Sequence, residues 1–387
     1  MSLKKFLTAA LTPALLAAAL AGCGSGSTTG TQSTAAPATE AAQTKSAQTE
    51  TAEAAQVYDL TAEENTIRFA LPAGQVRTAI MTLADELGYY TEEGVNVEFV
   101  NSSGTEALTA ITTGNSDLDV LGTGIVPTLN FIANGSDLVI YAGTAAEGGC
   151  VISLPENVEY YRDLEHYAGA RAVMVRNESA WVITRAKLLE LGVDVDSIEL
   201  VEVGDYTNVV QAITKGEADI GFLPTEKATS LAELGTEIVY EVGELDPNYV
   251  CCRQVTSSEK LAAKHDAFVR FNIANLRAWE FYSDEANRDY IISVLAEESG
   301  QTEEYVENYL FVNRTKLTLD PNESGIISYY NALGDTGYFD TSAVDVAEHI
   351  DTSVYAEALS AVLERYPDDA FYQEKLTLYR DYNNALI

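Results

Sequence analysis

The chain has 387 residues, with 59 Asp and Glu against 23 Lys and Arg, a formal net charge of −36 at neutral pH. A polyanion would be repelled by that balance, and no basic stripe with interleaved aromatics breaks it, so nucleic acid is excluded as a partner. Dispersed surface carboxylates of this kind serve solubility, and the roughly 330 residues beyond the N-terminal region exceed one ordinary core and call for two lobes.

In chain order, residues 1–22 read as a secretion signal. A basic head with Lys4 and Lys5 precedes an apolar, alanine-rich run too short to span a membrane and remain there. The run ends in Leu20-Ala21-Gly22-Cys23, which resembles the bacterial lipobox, and the resemblance implies that Cys23 becomes the lipidated first residue. Acyl chains there would anchor the protein without a spanning helix. Residues 23–60 carry almost no large apolar side chain and read as a flexible tether.

The spacing then predicts a strand over 67–71, a loop with Ala73 and Gly74, a helix over 78–87 and a strand over 95–100. Ser102, Ser103, Gly104 and Thr105 offer donors just ahead of the next helix, where capping and ligand binding are both open readings. Residues 107–121 then recur at 209–223: Ile111 matches Ile213, Gly114 matches Gly216, Asp117 matches Asp219 and Leu121 matches Leu223. Each copy reads as a helix ended by glycine, a Gly-x-x-Asp link and an apolar strand, over 118–121 or 220–223. The segments after these strands, Gly122-Thr123-Gly124 and Pro224-Thr225-Glu226, are expected to be loops at the carboxyl end of a sheet, where open α/β sheets bind ligands.

Two matching units predict an α/β chain of two lobes, each a mixed sheet flanked by helices. Lobe one covers 61–150 and lobe two 151–252. In lobe two, residues 163–175 supply the first strand; Asn177 and Ser179 are candidate caps of the helix that follows. Trp181, one turn in, faces either ligand or core. Asp205 and Tyr206 take the loop place that 102–105 hold in lobe one. Residues 253–387 are mostly helical, opening on a long helix over 257–283.

Together, Gly88-Tyr89-Tyr90, Glu93-Gly94-Val95-Asn96-Val97, the Gly114-x-x-Asp117 turn, Gly122-Thr123-Gly124, Asp163-Leu164 and Leu191-Gly192-Val193 resemble periplasmic-type substrate-binding proteins of the nitrate, sulfonate and taurine class, including thiamine-precursor binders. The resemblance implies a type II periplasmic-binding-protein fold with a two-strand hinge and a tail folded back on lobe one. It further implies a small molecule closed between the lobes and delivered to an ABC permease, by a protein acting as a monomer. The cleft would then be lined by Ala73, Gly74, Ser102 to Thr105, Gly122 to Gly124, the stretch Asn177 to Trp181 with Asn177, Ser179 and Trp181 foremost, Tyr206 and Pro224 to Glu226. Glu226 departs from what an anion binder needs, and the arginines are sparse beyond Arg77, Arg176 and Arg253, so an aromatic or amine-bearing ligand fits as well as sulfonate, nitrate or a pyrimidine. Cys150, Cys251 and Cys252 fall at the two crossings between lobes, and a disulfide from Cys150 to Cys251 or Cys252 is one expectation; reduced packing residues, or ligand contact by 251–253, is the other.

No arranged catalytic set is evident. His166, His265 and His349 lack metal-ligand spacing, and neither a phosphate-cradling loop nor a nucleophile elbow occurs. No enzyme activity and no cofactor or metal is therefore expected. A sensor lobe presenting ligand to a membrane kinase, and an enzyme like the thiamine-pyrimidine synthases that share the fold, remain alternatives.

Overall fold

The computed structural model describes residues 58–384 apart from 72–74, 103, 115–116, 177 and 313–314. The signal segment, Cys23 and most of the tether lie outside the described residues, as do Ala73, Gly74, Ser103 and Asn177.

Among the described residues, ten strands form two five-stranded sheets of one design. They are β1 (Thr66–Ala70), β2 (Asn96–Val100), β3 (Val120–Gly124), β4 (Val139–Ala145), β5 (Gly149–Ser153), β6 (Arg171–Val175), β7 (Glu199–Val203), β8 (Ile220–Pro224), β9 (Glu237–Glu241) and β10 (Cys252–Thr256). The orders are β2-β1-β3-β10-β4 and β7-β6-β8-β5-β9. In each, four strands run the same way and the one in fourth place, which has just crossed from the other sheet, runs antiparallel to both of its neighbours. The crossings lie between Ala145 and Gly149 and between Glu241 and Cys252. The expected architecture of two mixed sheets flanked by helices is therefore present. Interior strands such as β5 and β10 are buried throughout, as sheets covered on both faces require, while the edge strand β7 leaves Val201 exposed.

The repeat is real, with one correction to its register. The helices Gly104–Thr113 and Tyr206–Thr214 run up to Gly114 and Gly216, whose φ values of 65° and 71° reverse the chain. In lobe two, Asp219 then locks onto β6: its N–H donates to the Arg171 carbonyl at 2.8 Å and its carboxylate accepts the Arg171 N–H at 2.9 Å. In lobe one the residue that does this is Asp119, with both bonds to Arg68 at 2.9 Å. Asp119, not Asp117, is the counterpart of Asp219, so lobe one holds two more residues between glycine and aspartate. An even slip keeps the same side chains facing inward, which is why the apolar pattern hid it. At the far end Gly124 therefore matches Pro224, and their φ and ψ agree (−60°, 145° and −62°, 140°), each leading straight into a helix, Ile125–Ala133 or Thr225–Ser230. Gly122 and Thr123 belong to β3 and form no loop.

Elsewhere the elements shift modestly. The stretch expected to open lobe two is a 3-10 turn, Leu164–Tyr167, followed by β6, and the first strand in that sheet is β5. The long helix is two pieces, Ser258–Ala263 and His265–Ser283. The latter covers lobe one: Phe271 stacks on Tyr90 at 5.2 Å, and the Tyr90 hydroxyl donates to Asn275 Oδ1 at 2.7 Å. A later tail helix, Glu323–Asp335, packs instead on lobe two's helix Ser179–Glu190, where the Tyr329 hydroxyl donates to the Ser179 carbonyl at 3.3 Å and Arg185 donates to the Thr336 carbonyl.

Candidate functional site

A cavity of about 420 Å³ lies where the carboxyl ends of the parallel strands of both sheets meet the two crossings. That volume suits a small organic solute. Lobe one contributes Gln75 and Arg77 from the segment after β1, Thr105 from the helix after β2, and Gly124 to Pro127 after β3. Lobe two contributes Glu178 and Ser179 after β6, Tyr206 after β7, and Pro224 and Glu226 after β8. Glu147, Gly148, Cys251 and Cys252 come from the crossings, and Tyr309 from the tail.

One ion pair spans the cavity. Arg77 Nη2 of lobe one meets Glu226 Oε2 of lobe two at 3.0 Å, with side chains only 20% and 7% exposed. Arg77 Nη1 also faces Cys252 Sγ at 3.5 Å, and among the described residues its buried Nε has no partner. Burial alone would lower the Arg77 pKa, yet Cys252 and Glu226 hold it well above its usual value. The Cys251 and Cys252 sulfurs are 3.3 Å apart. Cys252 is shifted down because it receives a hydrogen bond from Cys251 and faces Arg77; Cys251 is shifted up by the same hydrogen bond and by burial.

The other charged side chains on the wall are the buried Glu147 and Glu178 and the more exposed Arg176 and Lys227, the latter 3.9 Å from Glu226 Oε1. Glu178 caps its helix by accepting the Ala180 N–H at 3.3 Å, and burial raises its pKa to about 7. Tyr206 borders that carboxylate, and its own pKa is raised by burial and by Glu178. Glu147 accepts the Gly243 N–H at 3.1 Å across the hinge, and burial raises its pKa too. Behind the wall Glu241, raised to about 8 by burial, accepts the Thr225 hydroxyl at 2.6 Å. Among the described residues, neither Glu147 nor Glu178 has an ion-pair partner.

Of the residues expected from sequence, Thr105, Gly124, Ser179, Tyr206, Pro224 and Glu226 meet on this wall. Thr225 is one step behind it, committed to Glu241. Gly122 lies within β3, where a Cβ would come 3.2 Å from the Phe69 ring, and Thr123 is buried in the same strand beside Gly104. Ser102 and Gly104 are off the wall. Trp181 is a core residue, packed on Phe222 with ring centroids 5.1 Å apart. Arg176 lines the cavity but is largely exposed and paired with Glu202, and Arg253 is wholly buried, donating only to backbone carbonyls. The Cys150 disulfide does not form. Cys150 belongs to β5, where its thiol donates to the Leu223 carbonyl at 3.5 Å, and all three cysteines are free.

Sequence reasoning missed Glu147 and Tyr309 as wall residues, while Glu178 lies inside the stretch 177–181 expected to line the cleft. Glu178 was legible as the acid inside a candidate capping stretch; Tyr309, far along a helical tail, carried no signal. Among the described residues no three His, Cys, Asp or Glu side chains gather as metal ligands, and no helix is long and apolar enough to cross a membrane.

Comparison with known proteins places these features in context. Residues 75–287 match the family model described as NMT1/THI5 like. No curated protein sequence matches the chain. Among solved structures, a ligand-binding component of an ABC-type import system from Staphylococcus aureus, with zinc bound, superposes with a TM-score of 0.61 at 14% identity, covering 76% of this chain and 99% of its own. The periplasmic nitrate-binding protein NrtA from Synechocystis PCC 6803 gives 0.61 at 13% identity, covering 77% and 89%. The alkanesulfonate-binding protein SsuA from Xanthomonas axonopodis pv. citri, bound to MOPS, gives 0.57 at 18% identity, covering 75% and 99%. At these identities the likeness is one of fold.

Proposed function

This chain belongs to the NMT1/THI5-like family, and on that premise we propose that it is an extracytoplasmic solute-binding protein that closes two lobes around a small molecule and presents it to an ABC permease. The observation that carries this reading is the Arg77–Glu226 pair, which joins the two lobes across a cavity walled by both. A solute seated there would touch both lobes, so its binding energy would favour the closed form by the difference between its affinities for closed and open.

The ligand we assign is a flat solute bearing an amine or amidine, a class that includes aminopyrimidines. Among the described residues Glu147 and Glu178 are buried with no direct ion-pair partner, Lys316 and Arg77 acting on them only from a distance, and a ligand cation would pair with them directly. Arg77, the cation best placed on the wall, is already committed to Glu226. Nitrate or a sulfonate would have to enter beside those carboxylates. A thermal-shift panel of amines, aminopyrimidines, sulfonates and nitrate tests this. A specific ligand at a hundredfold excess over its Kd adds about 2.7 kcal/mol of stability, and a response confined to sulfonates or nitrate would reverse the assignment.

In this reading residues 1–22 direct export, Cys23 carries the lipid, and 23–60 tether lobe one (61–150 with the tail 253–387) and lobe two (151–252) to the membrane. The protein works as a monomer. Labelled fatty acid should be incorporated into the chain and lost in Cys23→Ala; label retained in that variant would place the anchor elsewhere.

A further inference from the structure

The solute-binding reading makes no use of the two neighbouring thiols on the cavity wall. Cys251 and Cys252 stand at the second crossing, where the chain enters β10, with their sulfurs 3.3 Å apart. The guanidinium of Arg77 faces Cys252 Sγ at 3.5 Å, and Gly148 of the first crossing lies against Cys251, close enough that a Cβ there would sit 3.1 Å from its sulfur. Cys150, by contrast, faces the Leu223 carbonyl in the other sheet and is not on the wall. A pair of sulfurs in contact, with a cation beside one of them and a solute-sized cavity in front, combines an attacking thiol with a second thiol in reach of the first.

We propose that Cys251 and Cys252 form a thiol–disulfide exchange site that accepts small cationic disulfides entering the cleft, Cys252 attacking and Cys251 resolving. Cys252 sulfur forms a bond to one sulfur of the disulfide RSSR, whose S–S bond breaks to release RS⁻. Cys251 gives up its proton and attacks Cys252 Sγ, expelling the second RS⁻. The two thiol protons end on the two departing thiolates, so the sum is two cysteine thiols plus RSSR giving one Cys251–Cys252 disulfide plus two RSH. The disulfide substrate is the oxidant.

The wall carries three carboxylates and three cations, but Glu226 is paired with Arg77 and Arg176 and Lys227 are more exposed, so the buried Glu147 and Glu178, with no ion-pair partner among the described residues, favour cationic over anionic disulfides. Neighbouring Cα atoms are about 3.8 Å apart, nearer than the roughly 4.4–6.8 Å usual for a disulfide. The product bond is therefore of the labile kind that excess thiol reverses.

The test uses the full chain carrying Cys23→Ser, treated with cystamine under native conditions and read by intact mass and released thiol. The expected product weighs less by the two hydrogens lost, carries no adduct, and has released two cysteamines per chain. Cys251→Ser should stop with one cysteamine attached at residue 252. Cys252→Ser should react about tenfold slower or less, and Cys150→Ser should behave as the parent. Far-ultraviolet circular dichroism checks that each variant is folded, and the parent's own product decides the matter if a variant is not. A stable cysteamine adduct on the parent, unchanged rates in a folded Cys252→Ser, or reaction only in urea would overturn the proposal.

Discussion

Arg253 shows how much of the hinge hangs on one side chain. It is wholly buried, donating from Nε to the Pro321 carbonyl at 2.7 Å and from Nη1 to those of Ala145 and Cys252 at 3.1 and 2.8 Å. It thereby ties the first crossing, the second crossing and the tail together. Burial brings its pKa down only to about 10, so it stays charged at neutral pH. Arg253→Met should cost about 3–5 kcal/mol in urea denaturation; a loss under 1 kcal/mol would show that the clamp is dispensable. Glu178 gives a pH signature of a definite sign. Its folded pKa, about 7, lies above its ordinary value of 4.5, so the folded state holds a proton that the unfolded state releases between those values. Its contribution to stability is complete below about 4.5 and is lost as pH rises through about 7. Glu178→Gln should remove that part of the decline, read as the difference between the two thermal-midpoint profiles from pH 4 to 8. A difference independent of pH would contradict the raised value.

At the level of elements, the helix-glycine-strand repeat was legible because helical period and positive-φ glycines are written locally. The two-residue offset was not, because the Asp119 and Asp219 bonds to Arg68 and Arg171 are made with a neighbouring strand some 50 residues away. Trp181 illustrates the same limit: one turn into a helix, it could face either way until β8 placed Phe222 beneath it. Two glycines within strands mark where other elements lie closest. A Cβ at Gly221 would come 2.7 Å from Val209 Cγ1 and 2.8 Å from Ile213 Cδ1, both side-chain atoms of the repeat helix. At Gly143 it would come 2.6 and 2.7 Å from the backbone oxygens of Asp320 and Thr318, where the tail crosses β4. Side-chain ends can give and backbone cannot. Gly143→Ala should therefore destabilise by about 3 kcal/mol and Gly221→Ala by about 1 kcal/mol in denaturant titrations. The reverse order would mean that the tail is loosely held.

On the scale of the whole molecule, the two sheets exchange their fourth strands, so both crossings run past the cavity and any change in the angle between lobes is felt at Glu147, Gly148, Cys251 and Cys252. Sequence alone made two lobes and their facing loops legible. It could not show that the tail helix Glu323–Asp335 reaches across to Ser179–Glu190, because a helix's amphipathic pattern says that it packs and not on which lobe. The central claim is that one solute is held by both lobes, and the most direct measurement is a hydrogen-exchange footprint of the chain with the solute that gives the largest thermal shift. Slowed exchange should appear on both walls, around Arg77 and Thr105 in lobe one and around Ser179, Tyr206 and Glu226 in lobe two. Slowing on one wall alone, with the other exchanging as in the free protein, would contradict it.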